Sequence, residues 1–308
     1  MPSEQLSVVN DHLRNLAAQT AAAGRGRGLA AMRRMTEQYG LVDAACGRLH
    51  TTVVPTEVEG VPAEWHMAPG GDSGLRLLYL HGGGWMAGSL SSHRALVSSL
   101  TAAIGGVGLA LDYRLAPEHS FPAGLDDCVA AYRWLCDNGP DGPSPARATV
   151  IAGDSAGGNL TLASLIVLRD TGGRRPEAAV ALSPVTTFGD DGESRASRRD
   201  LDPIISGAAG MGGLAKLYLQ GGAEPTDPRA APIEDSFADL PPILIETGDA
   251  EILLSDSVDY AARARAAGAD VTLTVTDHMP HIFPIFAGFL PEADEAMTRM
   301  AAFITRRC

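Results

Sequence analysis

The chain has 308 residues, a mass of 32.0 kDa and a formal net charge of −13 at pH 7. It has a single lysine, and its arginines are scattered apart from a few adjacent pairs, so we expect no nucleic-acid partner. We also expect no membrane span, because no apolar run approaches about 20 residues. We expect a cytoplasmic protein, because the amino terminus lacks the apolar core of a secretory signal, and free thiols are the usual state of cysteines there.

The amino-terminal region is predicted to form two helices followed by a strand pair. A helical pattern extends from Glu4 to Tyr39 and is interrupted by the glycine- and arginine-rich run Gly24–Gly28. The apolar stripe of the first helix consists of Leu6, Val9, Leu13 and Leu16. Two extended segments, Leu49–Pro55 and Pro62–Met67, are predicted to pair as antiparallel strands.

Short apolar runs then alternate with helical segments, which predicts a mostly parallel sheet covered on both faces. The predicted strands are Leu75–Leu80, Gly106–Tyr113, Ala148–Asp154, Ala178–Ser183, Pro242–Thr247 and Asp270–Thr276. The predicted helices lie near Ser92–Ile104, Leu125–Asn138, Gly157–Asp170, Ser257–Ala267 and Pro291–Arg307. A spacer from Thr186 to about Gly222, rich in Gly, Ser, Asp and Arg, interrupts the alternation.

Two short motifs each follow one of the predicted strands. His81–Trp85 has the sequence H-G-G-G-W, and Gly153–Gly158 has the sequence G-D-S-A-G-G. The second motif has the G-x-S-x-G form, in which a strand turns sharply into a helix and exposes a serine hydroxyl. The first supplies amides unshielded by side chains, which a developing oxyanion needs. Ser155 could also serve only as a helix cap, but the two motifs in this order predict ester hydrolysis by a serine nucleophile.

These motifs, with the run Asp112–Glu118 and the tripeptide Phe121–Ala123, resemble those of the hormone-sensitive-lipase family of α/β-hydrolases, in its bacterial carboxylesterase branch. The resemblance extends from about Leu75 to the carboxyl terminus. It implies an α/β-hydrolase fold with a mostly parallel eight-stranded sheet, helices on both faces and a helical cap. The segments that it implies are cap helices at 1–46, core at 47–185, a cap insertion at 186–222 and core at 223–308.

The same resemblance assigns a catalytic triad. Ser155 is the expected nucleophile, and it needs a histidine later in the chain as its base. His278 and His281 are the two that follow it, and His281 lies after the last predicted strand, where the family has its base. The acid position falls on Glu251, although much of the family has an aspartate in a D-P-L run there. Asp249 is the alternative acid.

The oxyanion hole is expected to consist of the amides of Gly83, Gly84 and Ala156. His81 and Trp85 are expected to position this loop rather than to react. We expect no metal, because no second ligand stands at a suitable spacing from His81, and no cofactor, because hydrolysis through an acyl-enzyme needs none.

The expected activity is that of a serine carboxylesterase, and the expected partner is a small ester with a short- to medium-chain acyl group. A lactonase or a deacetylase acting on a specific small metabolite would use the same residues, since substrate choice depends on the cap and its loops. A ligand receptor on the same fold would be expected to lack the base that His281 supplies. The resemblance also implies a possible homodimer through the last strand and helix.

Overall fold

The computed structural model describes residues 2–22, 28–205 and 210–308, with an eight-stranded sheet at its centre. The strands are β1 (Thr52–Val58), β2 (Val61–Met67), β3 (Leu75–Leu80), β4 (Val107–Leu111), β5 (Asn138–Gly139), β6 (Gly142–Pro143), β7 (Ala148–Asp154), β8 (Ala178–Leu182), β9 (Ile243–Gly248) and β10 (Val271–Thr276). The helices are α1 (Gln5–Ala22), α2 (Gly28–Gln38), α3 (Leu90–Ile104), α4 (Ala123–Asp137), α5 (Ala156–Thr171), α6 (Glu193–Ser197), α7 (Gly210–Tyr218), α8 (Leu254–Ala266) and α9 (Pro291–Thr305).

The order of the large sheet is β1-β2-β4-β3-β7-β8-β9-β10. β2 pairs antiparallel with both β1 and β4, and the other neighbours pair in parallel. The predicted mostly parallel, eight-stranded sheet is therefore confirmed. The six strands predicted from Leu75 onward agree with the structure to within two residues at each end. β1 begins and ends three residues later than predicted, because this largely exposed edge strand has no clear apolar alternation that would fix its limits.

Helices cover the sheet on both faces, as predicted. On one face α4, α5 and α8 pack against strand residues such as Leu78 and Leu109. On the other face α3 and α9 pack against the alternate side chains, which include Leu77 and Val150. Because successive side chains of a strand point to opposite faces, the continuous apolar runs supply both clusters at once.

The first amino-terminal helix, α1, packs against the carboxyl-terminal helix α9. The predicted stripe of α1 is buried, and Leu6, Val9 and Leu13 join the apolar cluster of α9. Ser3 also donates two hydrogen bonds of 2.7 Å to the Glu292 carboxylate at the start of α9. The predicted break at Gly24–Gly28 lies outside the described residues except for Gly28, where α2 begins.

The described part of the spacer at 186–222 contains two helices that the sequence prediction did not delimit. α6 is only five residues long, and α7 includes most of the apolar run Leu214–Leu219. The short hairpin of β5 and β6 was also not predicted, because two-residue strands carry no periodic signal.

The carboxyl ends of the parallel strands meet at one edge of the sheet. Leu80 pairs with Gly153, and Asp154 pairs with Leu182, which in turn pairs with Glu246. The loops that follow β3, β7, β8 and β9 are therefore neighbours at this edge. This is the edge at which open α/β sheets bind their ligands.

Two further sequence expectations concern the whole chain. The four cysteines are free, and all but Cys308 are buried. Within the described ranges, no helix combines the length and the apolar character that crossing a bilayer requires.

Candidate active site

The turn between β7 and α5 holds Ser155 in a strained backbone conformation, with φ 54° and ψ −117°. The flanking glycines permit this turn because neighbouring backbone approaches them closely. A Cβ on Gly157 would lie 2.0 Å from the carbonyl oxygen of Leu80, and one on Gly153 would lie 2.4 Å from the carbonyl oxygen of Gly157. The G-x-S-x-G pattern is thus explained by steric contacts on both sides of the serine.

Hydrogen bonds fix the backbone of Ser155. Its amide donates to the Leu182 carbonyl at 2.8 Å. Its carbonyl accepts from the amides of Asn159 at 3.0 Å and Val185 at 3.2 Å. The serine is therefore bound to the end of β8 as well as to the first turn of α5, and its position is set by the sheet.

Glu251 and His281 form a buried pair on the loops after β9 and β10. Oε2 of Glu251 contacts Nδ1 of His281, and the two side chains are 0 % and 5 % exposed. Oε1 of Glu251 accepts hydrogen bonds from the Ser183 hydroxyl at 2.7 Å, from the Gly248 amide at 3.1 Å and from the hydroxyl of Thr247. With Nδ1 engaged by the carboxylate, Nε2 is the ring nitrogen that remains for an incoming hydroxyl.

Ser183 connects this pair to the serine turn. Its hydroxyl donates to Glu251 and accepts from the Ile282 amide at 3.2 Å. Ser183 directly follows Leu182, whose carbonyl binds the Ser155 amide. This short chain of contacts at the end of β8 connects the Ser155 backbone to the loop that carries His281, so the two loops lie at the same edge of the sheet.

Local charges set the proton affinities of the pair. Burial by itself would lower the pKa of His281, but the Glu251 carboxylate, and then Asp202 and Asp154, raise it above its usual value. Burial would raise the pKa of Glu251. The positive charge of His281 and the hydrogen bonds from His281, Thr247 and Ser183 outweigh this effect and hold the pKa below its usual range. The geometry therefore favours an imidazolium beside a carboxylate, the charge distribution that appears when a histidine accepts a proton.

Asp249, the alternative acid, has different partners. It is half-buried, and Oδ1 accepts a hydrogen bond from the His278 amide. Its carbonyl accepts from Nε of Arg198 at 2.7 Å. The His278 side chain is exposed. Of the two candidate acids, Glu251 is the one in contact with the imidazole of His281.

The residues 81–87, which we call the glycine loop, follow β3 and lie beside the serine turn. Gly83 and Gly84 have φ values of 119° and 60°, which other residues rarely adopt. The Gly83 carbonyl accepts from the amides of Met86 at 3.2 Å and Ala87 at 2.9 Å. Among the described residues, the amides of Gly83 and Gly84 make no backbone hydrogen bond, and Ala156 is in the first turn of α5, where a helix leaves its amides unpaired.

Asp154 joins the glycine loop to the serine turn. Its Oδ1 accepts hydrogen bonds from the Tyr79 hydroxyl at 2.8 Å and from the Gly82 amide at 3.1 Å, and its Oδ2 lies 3.2 Å from Nε2 of His93. Burial raises the pKa of Asp154, but His93 and the other partners more than offset this and leave it lowered. A buried carboxylate next to Ser155 therefore fixes the start of the glycine loop.

His81 and Trp85 are buried within the glycine loop. Nδ1 of His81 donates to the Gly82 carbonyl at 2.8 Å, and the His81 carbonyl accepts from the Tyr113 hydroxyl at 2.7 Å. Burial, with the nearby His93, lowers the pKa of His81 to about 4, so this imidazole is neutral at neutral pH. The Trp85 ring stacks on Tyr218 of α7, with centroids 4.4 Å apart.

Amino-terminal residues also reach the site. Tyr39 directly follows α2, and its hydroxyl donates to the His281 carbonyl at 2.7 Å. Nε of Arg33 donates to the Met86 carbonyl at 2.8 Å. A Cβ on Gly84 would lie 2.9 Å from Cε of Met32. α2 and the residue after it thus contact both the glycine loop and the loop that carries His281.

Several of these contacts escaped sequence reasoning. Asp154 stands inside a motif, so its position next to the serine was a usable signal. His93, Tyr39 and Asp202 lie in stretches without a motif and reach the site only through the fold. The described part of the chain contains no group of three or more His, Cys, Asp or Glu side chains that could hold a metal ion.

Comparisons with known proteins show the family to which the chain belongs. A family model of the α/β hydrolase fold matches residues 77–285. An acetyl-hydrolase of Streptomyces hygroscopicus is 40 % identical over 242 residues, which are 79 % of this chain and 79 % of that protein. A carboxylesterase of Mycobacterium tuberculosis is 34 % identical over 237 residues, 75 % of this chain and 73 % of that protein.

Solved structures extend the similarity to the whole chain. The crystal structure of an esterase from the bacterial hormone-sensitive lipase family superposes with a TM-score of 0.88 at 38 % identity, covering 100 % of this chain and 99 % of that one. The esterase EstE5, in a crystal soaked with p-nitrophenyl butyrate, has a TM-score of 0.86 at 37 % identity and 99 % coverage of both chains.

Proposed function

The chain belongs to the hormone-sensitive-lipase family of α/β-hydrolases and is a serine carboxylesterase, and we propose that Ser155, His281 and Glu251 form its catalytic triad. The observation that carries this proposal is the buried contact between Glu251 and His281, at the sheet edge where Ser155 is held in a strained turn. A serine hydroxyl is a weak nucleophile without a base, and an oriented imidazole is the group that activates it.

In the first half of the reaction, Nε2 of His281 removes the proton of the Ser155 hydroxyl as its oxygen attacks the ester carbonyl carbon. Glu251 orients the ring through Nδ1 and stabilises the imidazolium that forms. The imidazolium then gives its proton to the departing alcohol oxygen, and the acyl group remains on Ser155. Water repeats the sequence in the second half and releases the carboxylic acid.

The negative charge on the carbonyl oxygen is stabilised by the amides of Gly83, Gly84 and Ala156. These donors fit because, among the described residues, the amides of Gly83 and Gly84 make no backbone hydrogen bond and Ala156 lies in the first turn of α5. One such donor typically contributes about 3 kcal/mol to stabilisation of the transition state. Asp154 fixes this loop relative to the nucleophile through the Gly82 amide.

We propose a cap made of the amino-terminal helices and the 186–222 insertion. Support comes from Met32 of α2 and Leu214 of α7, whose side chains both approach Gly84. The name of the Streptomyces relative, an acetyl-hydrolase, supports short acyl chains as substrates, with medium chains as the upper end. Lactonase or deacetylase activity would use the same residues. A homodimer and a cytoplasmic location stay predictions.

Hydrolysis of p-nitrophenyl acetate and butyrate by wild type and Ser155→Ala tests the proposal. We expect turnover by wild type and a loss of about 10⁴-fold or more in kcat for the variant. A fluorophosphonate should label wild type and leave Ser155→Ala unlabelled, since the reagent reacts with the activated hydroxyl. Full activity in the variant would refute the assignment of Ser155, and a wild type that binds esters without turnover or labelling would favour a receptor.

A further inference from the structure

Asp202, a buried carboxylate from the insertion, contacts the chain directly beside the proposed acid. The residue is 3 % exposed. Oδ2 accepts a hydrogen bond of 3.2 Å from the Ile252 amide, which immediately follows Glu251. Oδ1 accepts from the amides of Ile204 at 3.1 Å and Ile205 at 3.0 Å. One carboxylate thus joins a turn of the insertion to the loop that carries Glu251.

The stretch that leads to Asp202 binds the same loop at several more points. We call residues 186–202 the proximal insertion and residues 249–256 the acid segment. The Ser194 hydroxyl donates to the Ile252 carbonyl at 2.7 Å and accepts from the Ser255 amide at 2.9 Å. Arg195 pairs with Asp256 at 2.8 Å, where both side chains are buried. The proximal insertion therefore supports the acid segment, and both Ser194 and Asp202 bind Ile252, the residue that follows Glu251.

Asp202 also acts on His281 through its charge. Three carboxylates on different elements raise the pKa of this imidazole: Glu251 of the acid segment, Asp202 of the insertion and Asp154 of β7. Tyr39, which donates to the His281 carbonyl, is neutral, since burial and the same three carboxylates raise its pKa well above its usual value. Of the three carboxylates, Asp202 belongs neither to a sequence motif nor to the proposed triad.

The hydrogen bonds of Asp202 favour its charged form. The amides of Ile204, Ile205 and Ile252 are donors, and a carboxylate accepts such bonds better than a carboxylic acid. Burial and the nearby Glu251 charge raise the pKa of Asp202, and although His281 and the amides of Ile205 and Ile252 act in the opposite direction, this pKa stays above its usual value. When His281 takes the proton of the nucleophile, a negative Asp202 stabilises the resulting imidazolium.

We propose that Asp202 is a positioning residue for ester hydrolysis: it holds the Glu251 loop against the proximal insertion and places a second negative charge near His281. This inference rests on the proposed triad. It gives the insertion a part in the chemical step, in addition to covering the substrate. Asp202 itself touches no reacting atom, and its effect passes through Glu251 and His281.

The test is the pH dependence of kcat/KM on p-nitrophenyl butyrate for wild type, Asp202→Asn, Asp202→Glu and Asp200→Asn. Activity falls in acid as His281 becomes protonated, and the raised pKa predicts a wild-type midpoint above the usual histidine value of about 6.5. Asp202→Asn removes one of the charges that raise this pKa, so its midpoint should move down by about 0.5 pH units. Its kcat should fall about tenfold through poorer placement of Glu251.

The other two variants separate charge from placement. Asp202→Glu keeps the charge on a longer side chain, so we expect the wild-type midpoint with a reduced kcat. Asp200→Asn removes an exposed charge two residues away and should match wild type in both. A folded Asp202→Asn protein with the wild-type midpoint, or an Asp202→Glu protein with the wild-type kcat, would overturn the inference.

A titration without substrate separates this inference from the proposed function. The imidazole of His281, assigned in NMR spectra with a His281→Gln variant, should titrate at lower pH in Asp202→Asn than in wild type. A chain that turns over no ester refutes the proposed function and leaves this shift measurable. An active chain in which His281 titrates identically in both proteins refutes the role of Asp202 alone.

Discussion

The two parts of the 186–222 insertion contact the active site in different ways. The proximal insertion binds the acid segment through buried polar groups, among them Ser194, Arg195 and Asp202. α7 contacts the glycine loop through apolar and aromatic side chains: Leu214 lies against Gly84, and Tyr218 stacks on Trp85. Polar contacts of fixed direction hold catalytic groups in place, whereas apolar contacts adapt to what they cover. We therefore expect substitutions in the first part to change rate and stability, and those in the second to change substrate preference.

The largest effect should come from the residue that the proximal insertion supports. Glu251→Gln keeps the shape of the side chain but removes the charge that orients and stabilises His281, so kcat should fall about 10³- to 10⁴-fold. Steady-state kinetics on p-nitrophenyl butyrate measure this effect.

Asp249→Asn is the matched control, because Asp249 accepts a hydrogen bond from the backbone of His278 and an asparagine oxygen can do the same. Its kcat should stay within about threefold of wild type. A larger loss in Asp249→Asn than in Glu251→Gln would transfer the role of the acid to Asp249.

A smaller effect is expected on stability when the buried ion pair of the proximal insertion is broken. Burial raises the pKa of Asp256 to about 6 despite Arg195, so at pH 8 the carboxylate is charged. Arg195→Met leaves this charge buried without its partner, and the free energy of unfolding should fall by about 3 kcal/mol. Urea denaturation at pH 8 measures the change.

Arg199→Met removes an exposed arginine from the same stretch and should change the free energy of unfolding by less than about 0.5 kcal/mol. Equal unfolding midpoints for the two variants would contradict the view that the proximal insertion is fixed to the acid segment.

The smallest effect should be a change in acyl-chain preference when an apolar side chain that contacts the glycine loop is shortened. Met32→Ala removes the side chain nearest Gly84, so the ratio of kcat/KM for p-nitrophenyl hexanoate over acetate should rise about fivefold. Kinetics across an acyl-length series measure this ratio.

Met35→Ala provides the comparison, because Met35 is on the same helix but lines a separate cavity of about 120 Å³ between α1 and α2. Its ratio should match wild type. The same rise in both variants would show that loosening α2, rather than space above Gly84, alters the preference.

Sequence reasoning reached the features that depend on short-range backbone chemistry. Gly153 and Gly157 are required by close backbone contacts next to Ser155, and such requirements produce a recognisable motif. His281 could be predicted because the loop after the last strand is a defined place in the chain. The choice of Glu251 as the acid depended on the family resemblance, and its contact with Nδ1 of His281 supports that choice.

The remaining contacts join residues that are far apart in the chain. The Tyr39 hydroxyl meets the His281 carbonyl across 242 positions, and Asp202 meets the Ile252 amide across 50. Their local sequences have no distinctive pattern, because a tyrosine after a helix and an aspartate before a proline occur in many folds. Only the three-dimensional arrangement of the loops reveals these partners.

The hydrogen bond from Tyr39 to the His281 carbonyl has a consequence for protein engineering. Exchanging the first 46 residues between related esterases is an obvious route to new selectivity, because α2 lies over the glycine loop. In this chain the exchanged piece would also carry a residue that holds the loop of the proposed general base, His281. A chimaera that lacks a hydroxyl at position 39 should therefore combine altered selectivity with slower turnover, and restoring that one tyrosine should recover the rate.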